Sequence, residues 1–271
     1  MRLVMDFAAL GFYIASFACY AADLFRDRRW IGRLATLFLI LGLVAHYYAL
    51  MERSRVIHAI PYDDLYGSMS LFAWLVALTY LGLEIYHRQR AVGSLVLPFV
   101  IFWLVVAVSV APSSVHHVTV MSGALFALHI TIGIWAYGAF AISFLLSLVY
   151  LFQNRVLRGG RPGLAFWRFP ALEVLERMSR SSVWVGLVLL LVGTTLGFTW
   201  EHRLTGHFAA ADPKVLVTLV VVAIYAAYLA ILHAPAWRGA RAAFVCACNF
   251  VIVLFSYTVV NLYFTRFHRF Y

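Results

Sequence analysis

Charged residues are scarce in this chain of 271 residues: Asp, Glu, Lys and Arg together make up 12%, whereas 64% of the residues are hydrophobic. A typical soluble domain is about 45–50% apolar and about 25% charged. A soluble fold of this length could not cover so much apolar surface. The composition therefore excludes a soluble enzyme, a disordered protein and a fibrous protein, and it indicates a polytopic membrane protein.

Several motifs that would carry chemistry are also missing. The three cysteines (Cys19, Cys246 and Cys248) form neither CxxC nor CxxCH, which excludes a thioredoxin-like thiol relay and covalent c-type haem on the chain itself. There is no GxxxxGK[ST] motif for ATP and no HExxH motif for a zinc protease. The 11 acidic residues are scattered, so a proton-coupled carboxylate relay is not expected. No soluble segment is long enough for a nucleic-acid-binding surface.

The apolar residues form runs of membrane-spanning length. The sequence predicts eight spans, at about 3–24, 30–51, 66–86, 92–111, 120–152, 183–200, 215–233 and 241–264. The fifth run is longer than a bilayer needs, so its helix must tilt or protrude. No internal repeat or linker divides the chain. We therefore predict an all-α fold, a polytopic transmembrane helical bundle with residues 1–271 as a single integral membrane domain.

Arginine is distributed unevenly between the two sides of this bundle. Of the 21 Lys and Arg residues, 14 lie in the loops after spans 1, 3, 5 and 7. The positive-inside rule makes that side cytoplasmic and places both termini outside. The predicted location is the bacterial inner membrane, with lipid as the surrounding partner.

Histidine sorts to the opposite side. Eight of the ten histidines fall in predicted outer loops, the outer terminus or the outer parts of spans, and only His87 and His233 lie on the cytoplasmic side. Neutral imidazole is outside the positive-inside rule, so this sorting has another cause. Imidazole is a ligand for haem iron and for Zn, Cu and Ni.

His129 interrupts an apolar helix, where a polar group is costly unless it is satisfied or faces a cavity. We interpret it as a ligand, with a satisfied core histidine as the alternative.

Five groups of motifs follow one another from about residue 40 to the C-terminus. They are His46-Tyr-Tyr with Pro61 to Trp74; Leu172 to Ser181 leading into Leu191 to Trp200; Asp212-Pro213-Lys214; Trp237 to Ala243; and Phe255 to His268. Their order and spacing resemble the cytochrome c assembly protein family, which comprises CcsA- and ResC-like haem-handling membrane proteins and HemX-like relatives.

The resemblance implies a haem site on the outer face. In that family a tryptophan-rich outer loop presents haem, and two histidines from flanking helices ligate the iron. The matching positions are His129 and His268, which become the expected axial ligands of haem b. The arginine distribution independently puts both residues on the outer side.

The outer loop departs from the family pattern. Thr205, Ala209 and Ala211 stand at the positions of three tryptophans, whose flat surfaces would give a porphyrin a large contact area. The resemblance leaves as further candidate contacts Trp200, His207, Phe208, Asp212, Pro213 and Lys214. Of these, the Asp-Pro-Lys segment is expected to launch span 7, and Lys214 or Arg203 is available to pair a haem propionate.

His46 and His233 are the two candidates for an intramembrane haem contact. His233 lies one helical turn beyond the family position, here Ala230, and a helix-end cap is its alternative role. From the rise per residue, His46 lies about 9 Å above the membrane midplane and His233 about 13 Å below it. These two side chains are therefore not expected to ligate one iron.

The resemblance predicts a haem-handling protein of cytochrome c biogenesis. It would bind haem b on the outer face for delivery to, or attachment on, apocytochrome c, with a second biogenesis membrane subunit as a further partner. If it is a synthase, its part is to position the reactants rather than to perform acid–base chemistry. The alternatives are a non-catalytic HemX-like regulator of haem synthesis, which the missing tryptophans favour, and a haem or small-molecule transporter. A b-haem anchor subunit for electron transfer is disfavoured by the unequal depths of the histidines.

Overall fold

The protein is described by a computed structural model that covers residues 2–26, 29–57, 60, 65–110, 123–160, 169–206 and 213–259. Within these ranges the chain forms eight α-helices and no strand, which confirms the predicted all-α fold. The helices are α1 (Arg2–Arg26), α2 (Arg29–Ile57), α3 (Leu65–His87), α4 (Gly93–Ser109), α5 (Ala124–Arg158), α6 (Leu172–Thr205), α7 (Pro213–Ile231) and α8 (Ala240–Val259). A short 3₁₀ helix at Pro235–Trp237 lies between α7 and α8.

The helices have the length and apolar character of membrane spans. Five of them, α1, α2, α3, α5 and α6, contain segments long and apolar enough to cross a bilayer, and α4, α7 and α8 contain shorter apolar segments of 17 residues. Helix α5 has 35 residues, which confirms that the fifth predicted span exceeds the thickness of a bilayer. The chain is a multi-pass membrane protein.

Helix α6 begins earlier than hydropathy predicts. The predicted span starts at residue 183, whereas the helix starts at Leu172 and includes a charged segment that resembles a loop by composition. Leu175 and Met178 in this segment are fully buried, and Ser182 continues the same face into the apolar part of the helix. A spacing of three and four residues places these side chains on one face. Packing of that face extends the helix beyond the apolar run.

The chain divides into two compact units. The first contains α1 to α4 with the end of α5 and the beginning of α6; the second contains the rest of α5 and α6 with α7 and α8. The single membrane domain over residues 1–271 stays a prediction.

Buried polar side chains join the helices of the first unit. Asp6 on α1 is fully buried and accepts hydrogen bonds from the Tyr66 hydroxyl on α3 at 2.9 and 3.0 Å. The Trp74 indole N–H on α3 donates to the backbone oxygen of Leu43 on α2 at 2.9 Å. In an apolar environment such hydrogen bonds fix the register of neighbouring helices, because a helix shifted along its axis would leave these polar groups unpaired.

Small side chains bring the helices of the second unit close together. The Ser182 hydroxyl on α6 donates to the backbone oxygen of Ala139 on α5 at 2.6 Å. Ser143 on α5 lies 3.0 Å from the Cys246 sulfur on α8. Small residues at helix interfaces let backbones approach, which is how packing replaces the hydrophobic effect within a membrane. The first contact joins α5 to α6, the two helices that position His129, and the second joins α5 to α8.

Candidate functional site

His129 lies in the second turn of α5, close to α6. Its Nδ1 is 2.7 Å from the backbone oxygen of Gly193 on α6. A carbonyl oxygen can only accept a hydrogen bond, so Nδ1 carries the proton and is the donor. In the neutral imidazole the lone pair then resides on Nε2, which makes no hydrogen bond to any residue that the structure describes. The half-buried ring is therefore oriented by the protein and keeps one coordinating nitrogen.

Gly197 provides the surface on which the His129 ring rests. A Cβ atom at position 197 would lie 2.7 Å from Cε1 and 2.8 Å from Nδ1 of His129, well inside van der Waals contact. Gly193 and Gly197 are one turn apart on α6. The first supplies a carbonyl to the imidazole and the second supplies the space that the ring occupies.

An aromatic pair lies one turn from His129 towards the helix ends. Phe126 on α5 and Trp200 on α6 have ring centroids 4.6 Å apart, with 35° between the ring planes. Phe126 is only 2% exposed, and Trp200 is partly exposed. The structure thus brings two predicted site residues, His129 and Trp200, onto neighbouring turns of the α5 and α6 pair.

His46 has a different environment, in the core of the first unit. It is fully buried, its Nδ1 is 3.3 Å from the Tyr13 hydroxyl, and its Nε2 is 2.9 Å from the Ser70 hydroxyl. Each ring nitrogen therefore has a partner within the protein. A cofactor contact for His46 stays a prediction, and these two hydrogen bonds favour the reading of a satisfied core histidine.

Replacing His46 with alanine separates these two roles. The change removes two interhelical hydrogen bonds and leaves the hydroxyls of Tyr13 and Ser70 buried without this partner. We expect the free energy of unfolding to fall by about 1–2 kcal/mol, measured by SDS titration in mixed micelles. Loss of haem absorbance with unchanged stability would instead support the cofactor role.

His233 lies just beyond the C-terminal end of α7. Its side chain is exposed, and its backbone N–H donates to the oxygen of Ala230 at 3.2 Å. This places the residue at a helix end, as the alternative role of a helix-end cap requires. Its contact with a cofactor stays a prediction.

Arg203 lies exposed in the last turn of α6, and the remaining predicted site residues have no described side chain. Helix α7 begins at Pro213, so Pro213 and Lys214 of the Asp-Pro-Lys segment stand at the start of the seventh helix. The side chains of Pro213 and Lys214 are not described, and His207, Phe208, Asp212 and His268 lie outside the described residues. The pairing of His129 with His268 therefore stays a prediction.

The arrangement around His129 fits a haem ligand. Metal-binding imidazoles commonly donate their second N–H to a backbone carbonyl or a carboxylate, which fixes the tautomer and raises the basicity of the coordinating nitrogen. His129 has this geometry. Within the described ranges no group of three or more His, Cys, Asp or Glu side chains is placed to hold a metal ion. His129 would thus contribute one ligand to a planar group beside the Phe126 and Trp200 rings.

Sequence reasoning gave no role to three residues that build this site. Gly193 and Gly197 belong to a motif that carried the resemblance, but composition and hydropathy say nothing about what faces them. Their four-residue spacing is the small-xxx-small pattern of close helix contacts and was the available signal. Phe126 carries no comparable signal in a chain that is 17% aromatic.

Comparison with known proteins gives matches over most of the chain. The family model described as cytochrome c assembly protein matches residues 62–268. The chain is 29% identical over 225 residues to Protein HemX of Brevibacillus brevis, covering 80% of each chain. It is 26% identical over 224 residues to the cytochrome c biogenesis protein CcsA of Prochlorococcus marinus (74% of this chain, 72% of the relative). It is 23% identical over 297 residues to the CcsA protein of Pyropia yezoensis (95% and 93%). The chain belongs to the cytochrome c assembly protein family.

Proposed function

We propose that this chain is a haem-handling protein of cytochrome c biogenesis and that His129 supplies an axial imidazole to haem b. The observation that carries the proposal is the 2.7 Å hydrogen bond from His129 Nδ1–H to the Gly193 carbonyl, which leaves the Nε2 lone pair for a ligand. Relatives named for cytochrome c biogenesis support the same reading.

The residues around His129 would hold and orient the bound group. His129 would ligate the iron from α5, the partly exposed Trp200 ring would give an apolar wall with the buried Phe126 ring packed against it, and His268 would supply a second imidazole. When bound, haem supplies the vinyl groups to which the cysteine thiols of an apocytochrome add. The role of this chain in that reaction is to position the partners rather than to transfer protons.

The proposal includes location and partners. The arginine distribution supports a bacterial inner membrane protein whose histidine-rich face is outward. Apocytochrome c would approach that face. A second biogenesis membrane subunit would supply outer surface in place of the three missing loop tryptophans.

The visible spectrum of the detergent-purified wild-type protein tests the proposal. Reduced haem with two imidazole ligands gives sharp α and β bands, which we expect either as isolated or after addition of haem b. A protein that stays without these bands when haem is supplied at a stoichiometric ratio would overturn the proposal.

A regulatory role in haem synthesis is the second candidate. Two observations favour it: the likeness to Protein HemX, and the residues Thr205, Ala209 and Ala211 at the tryptophan positions of the family loop. Two results together would support this function: the purified protein lacks haem bands, and its deletion changes haem synthesis before it changes cytochrome c maturation.

A further inference from the structure

Two glycines of α6 face the His129 ring in different ways. The backbone oxygen of Gly193 accepts the imidazole Nδ1–H at 2.7 Å. One turn later, Gly197 lies against the ring itself, and a Cβ built there would be 2.7 Å from Cε1, 2.8 Å from Nδ1 and 3.3 Å from Nε2. Neither contact depends on a glycine side chain, so both are set by how closely the α6 backbone approaches α5.

Two other glycines of this helix pair, Gly193 and Gly133, do not share the steric constraint of Gly197, whereas Gly186 is held close to the ring of Phe140 further along the pair. A Cβ at Gly193 would make ordinary van der Waals contacts of 3.4 Å or more, and a Cβ at Gly133 on α5 would meet nothing within 4 Å. Alanine generally has the higher helix propensity, by about 1 kcal/mol. Glycine at 197 is therefore explained by the imidazole beside it and not by the helix.

We propose that Gly193 and Gly197 are positioning residues for His129: the Gly193 carbonyl fixes the tautomer, and Gly197 fixes the plane of the ring. This inference rests on the proposed function, because it assigns the two glycines to the axial ligand of the same site. Together they present Nε2 in one orientation before any ligand arrives.

The physical effect of this arrangement is on the coordinating nitrogen. A neutral histidine side chain in water favours the tautomer with the proton on Nε2, in which Nδ1 and not Nε2 is free to coordinate. Donation from Nδ1–H to a carbonyl favours the opposite tautomer and places the lone pair on Nε2. Partial transfer of negative charge to the ring through the hydrogen bond also makes Nε2 a stronger donor to iron. A methyl group at 197 would displace the ring and lengthen or break this bond.

The decisive experiment compares Gly197→Ala with Gly133→Ala, which makes the same chemical change in open space on the facing helix. The first measurement needs no haem. In ¹⁵N-histidine-labelled protein, with the His129 signals assigned by difference from His129→Ala, we expect Nδ1 protonated in wild type and in Gly133→Ala. In Gly197→Ala we expect the proton to move to Nε2.

The second measurement is haem affinity by titration of the reduced absorbance bands. Loss of an outer-shell partner costs about 10–100-fold in metal affinity, and we expect a loss of that size for Gly197→Ala and none for Gly133→Ala. We also expect the haem midpoint potential to rise in Gly197→Ala, since a weaker donor stabilises the oxidised iron less.

The outcomes separate the two proposals. Unchanged tautomer and unchanged haem affinity in Gly197→Ala would overturn the positioning role while the proposed function stands. Absence of haem bands in wild type would overturn the proposed function, and the tautomer measurement would still decide the positioning role. Equal losses in Gly197→Ala and Gly133→Ala would mean general disturbance of the α5 and α6 pair, which also contradicts the inference.

Discussion

Replacing His129 with alanine is expected to remove the sharp α and β bands of reduced haem. The imidazole Nδ1–H of His129 donates a hydrogen bond to the Gly193 carbonyl at 2.7 Å. Its Nε2 therefore stays available to coordinate iron. Losing the ligand itself should weaken haem binding by more than the roughly 10–100-fold that loss of an outer-shell partner costs. Any haem retained should show the broad bands of singly ligated iron, which the visible spectrum distinguishes.

A control and a rescue make this prediction specific. His87→Ala changes a histidine at the end of α3, outside the proposed site, and we expect it to keep the bands. His129→Gly leaves space for free imidazole, so added imidazole is expected to restore the bands. We expect His268→Ala to lose them as well. Full bands in His129→Ala would show that the haem ligand lies elsewhere in the chain.

Replacing Glu84 with alanine is expected to give the largest loss of stability in the first unit. Glu84 on α3 is only 4% exposed, and its carboxylate accepts hydrogen bonds from the hydroxyls of Tyr20, Thr36 and Tyr80. The Thr36 hydroxyl, on α2, lies at 2.5 Å and the Tyr80 hydroxyl at 2.9 Å, while Arg90 Nε lies 3.6 Å from the carboxylate. One side chain thus joins α1, α2 and α3 and faces a guanidinium.

The expected magnitude follows from what alanine would leave behind. Leaving a buried hydroxyl without its acceptor costs about 1–3 kcal/mol, whereas the Arg90 side chain is 39% exposed and keeps contact with water. The Tyr20 hydroxyl would lose the carboxylate as its acceptor, while the Thr36 and Tyr80 hydroxyls keep the backbone oxygens of Gly32 and Arg90 at 3.0 and 3.2 Å. We expect the SDS concentration at half-unfolding to fall, with the free energy of unfolding reduced by about 1–3 kcal/mol.

Glu52→Ala is the matched control for this substitution. Glu52 pairs with Arg55 at 3.1 Å on α2, but the arginine side chain is 72% exposed and the glutamate side chain 25%. Such pairs contribute about 0.3–0.5 kcal/mol, so we expect a change near the limit of measurement. Similar losses for Glu84→Ala and Glu52→Ala would contradict a structural role of the buried network.

The sequence determined the class of fold because membrane insertion is governed by composition averaged over a span. A run of about 20 apolar residues is a helix in a bilayer whatever its neighbours, since only helices and closed barrels satisfy the backbone there. All eight helices were predicted on this basis. The beginning of α6 was not, because the buried face that contains Leu175 and Met178 depends on packing that a hydropathy average does not contain.

In the candidate site, too, the sequence identified a residue and the tertiary structure showed its environment. His129 was identified from the sequence because a lone imidazole in an apolar helix is a cost that needs an explanation. His46 gives the same signal in sequence, yet only the tertiary structure shows Tyr13 and Ser70 occupying both of its nitrogens, whereas His129 keeps Nε2. Which nitrogen remains for a ligand is set by the neighbouring helices, so no pattern along one helix can give it.

The sequence by itself thus determined an all-α membrane protein, its family and a histidine with an unusual position. Tertiary structure decided how that histidine is held. The Gly193 carbonyl and the open face of Gly197 meet the imidazole only because small residues let α6 approach α5. Because glycine has no side-chain functional group, its presence in the sequence does not indicate this role. Glycine contributes room for the imidazole ring and a backbone carbonyl, and both act on His129 only when α5 packs against α6.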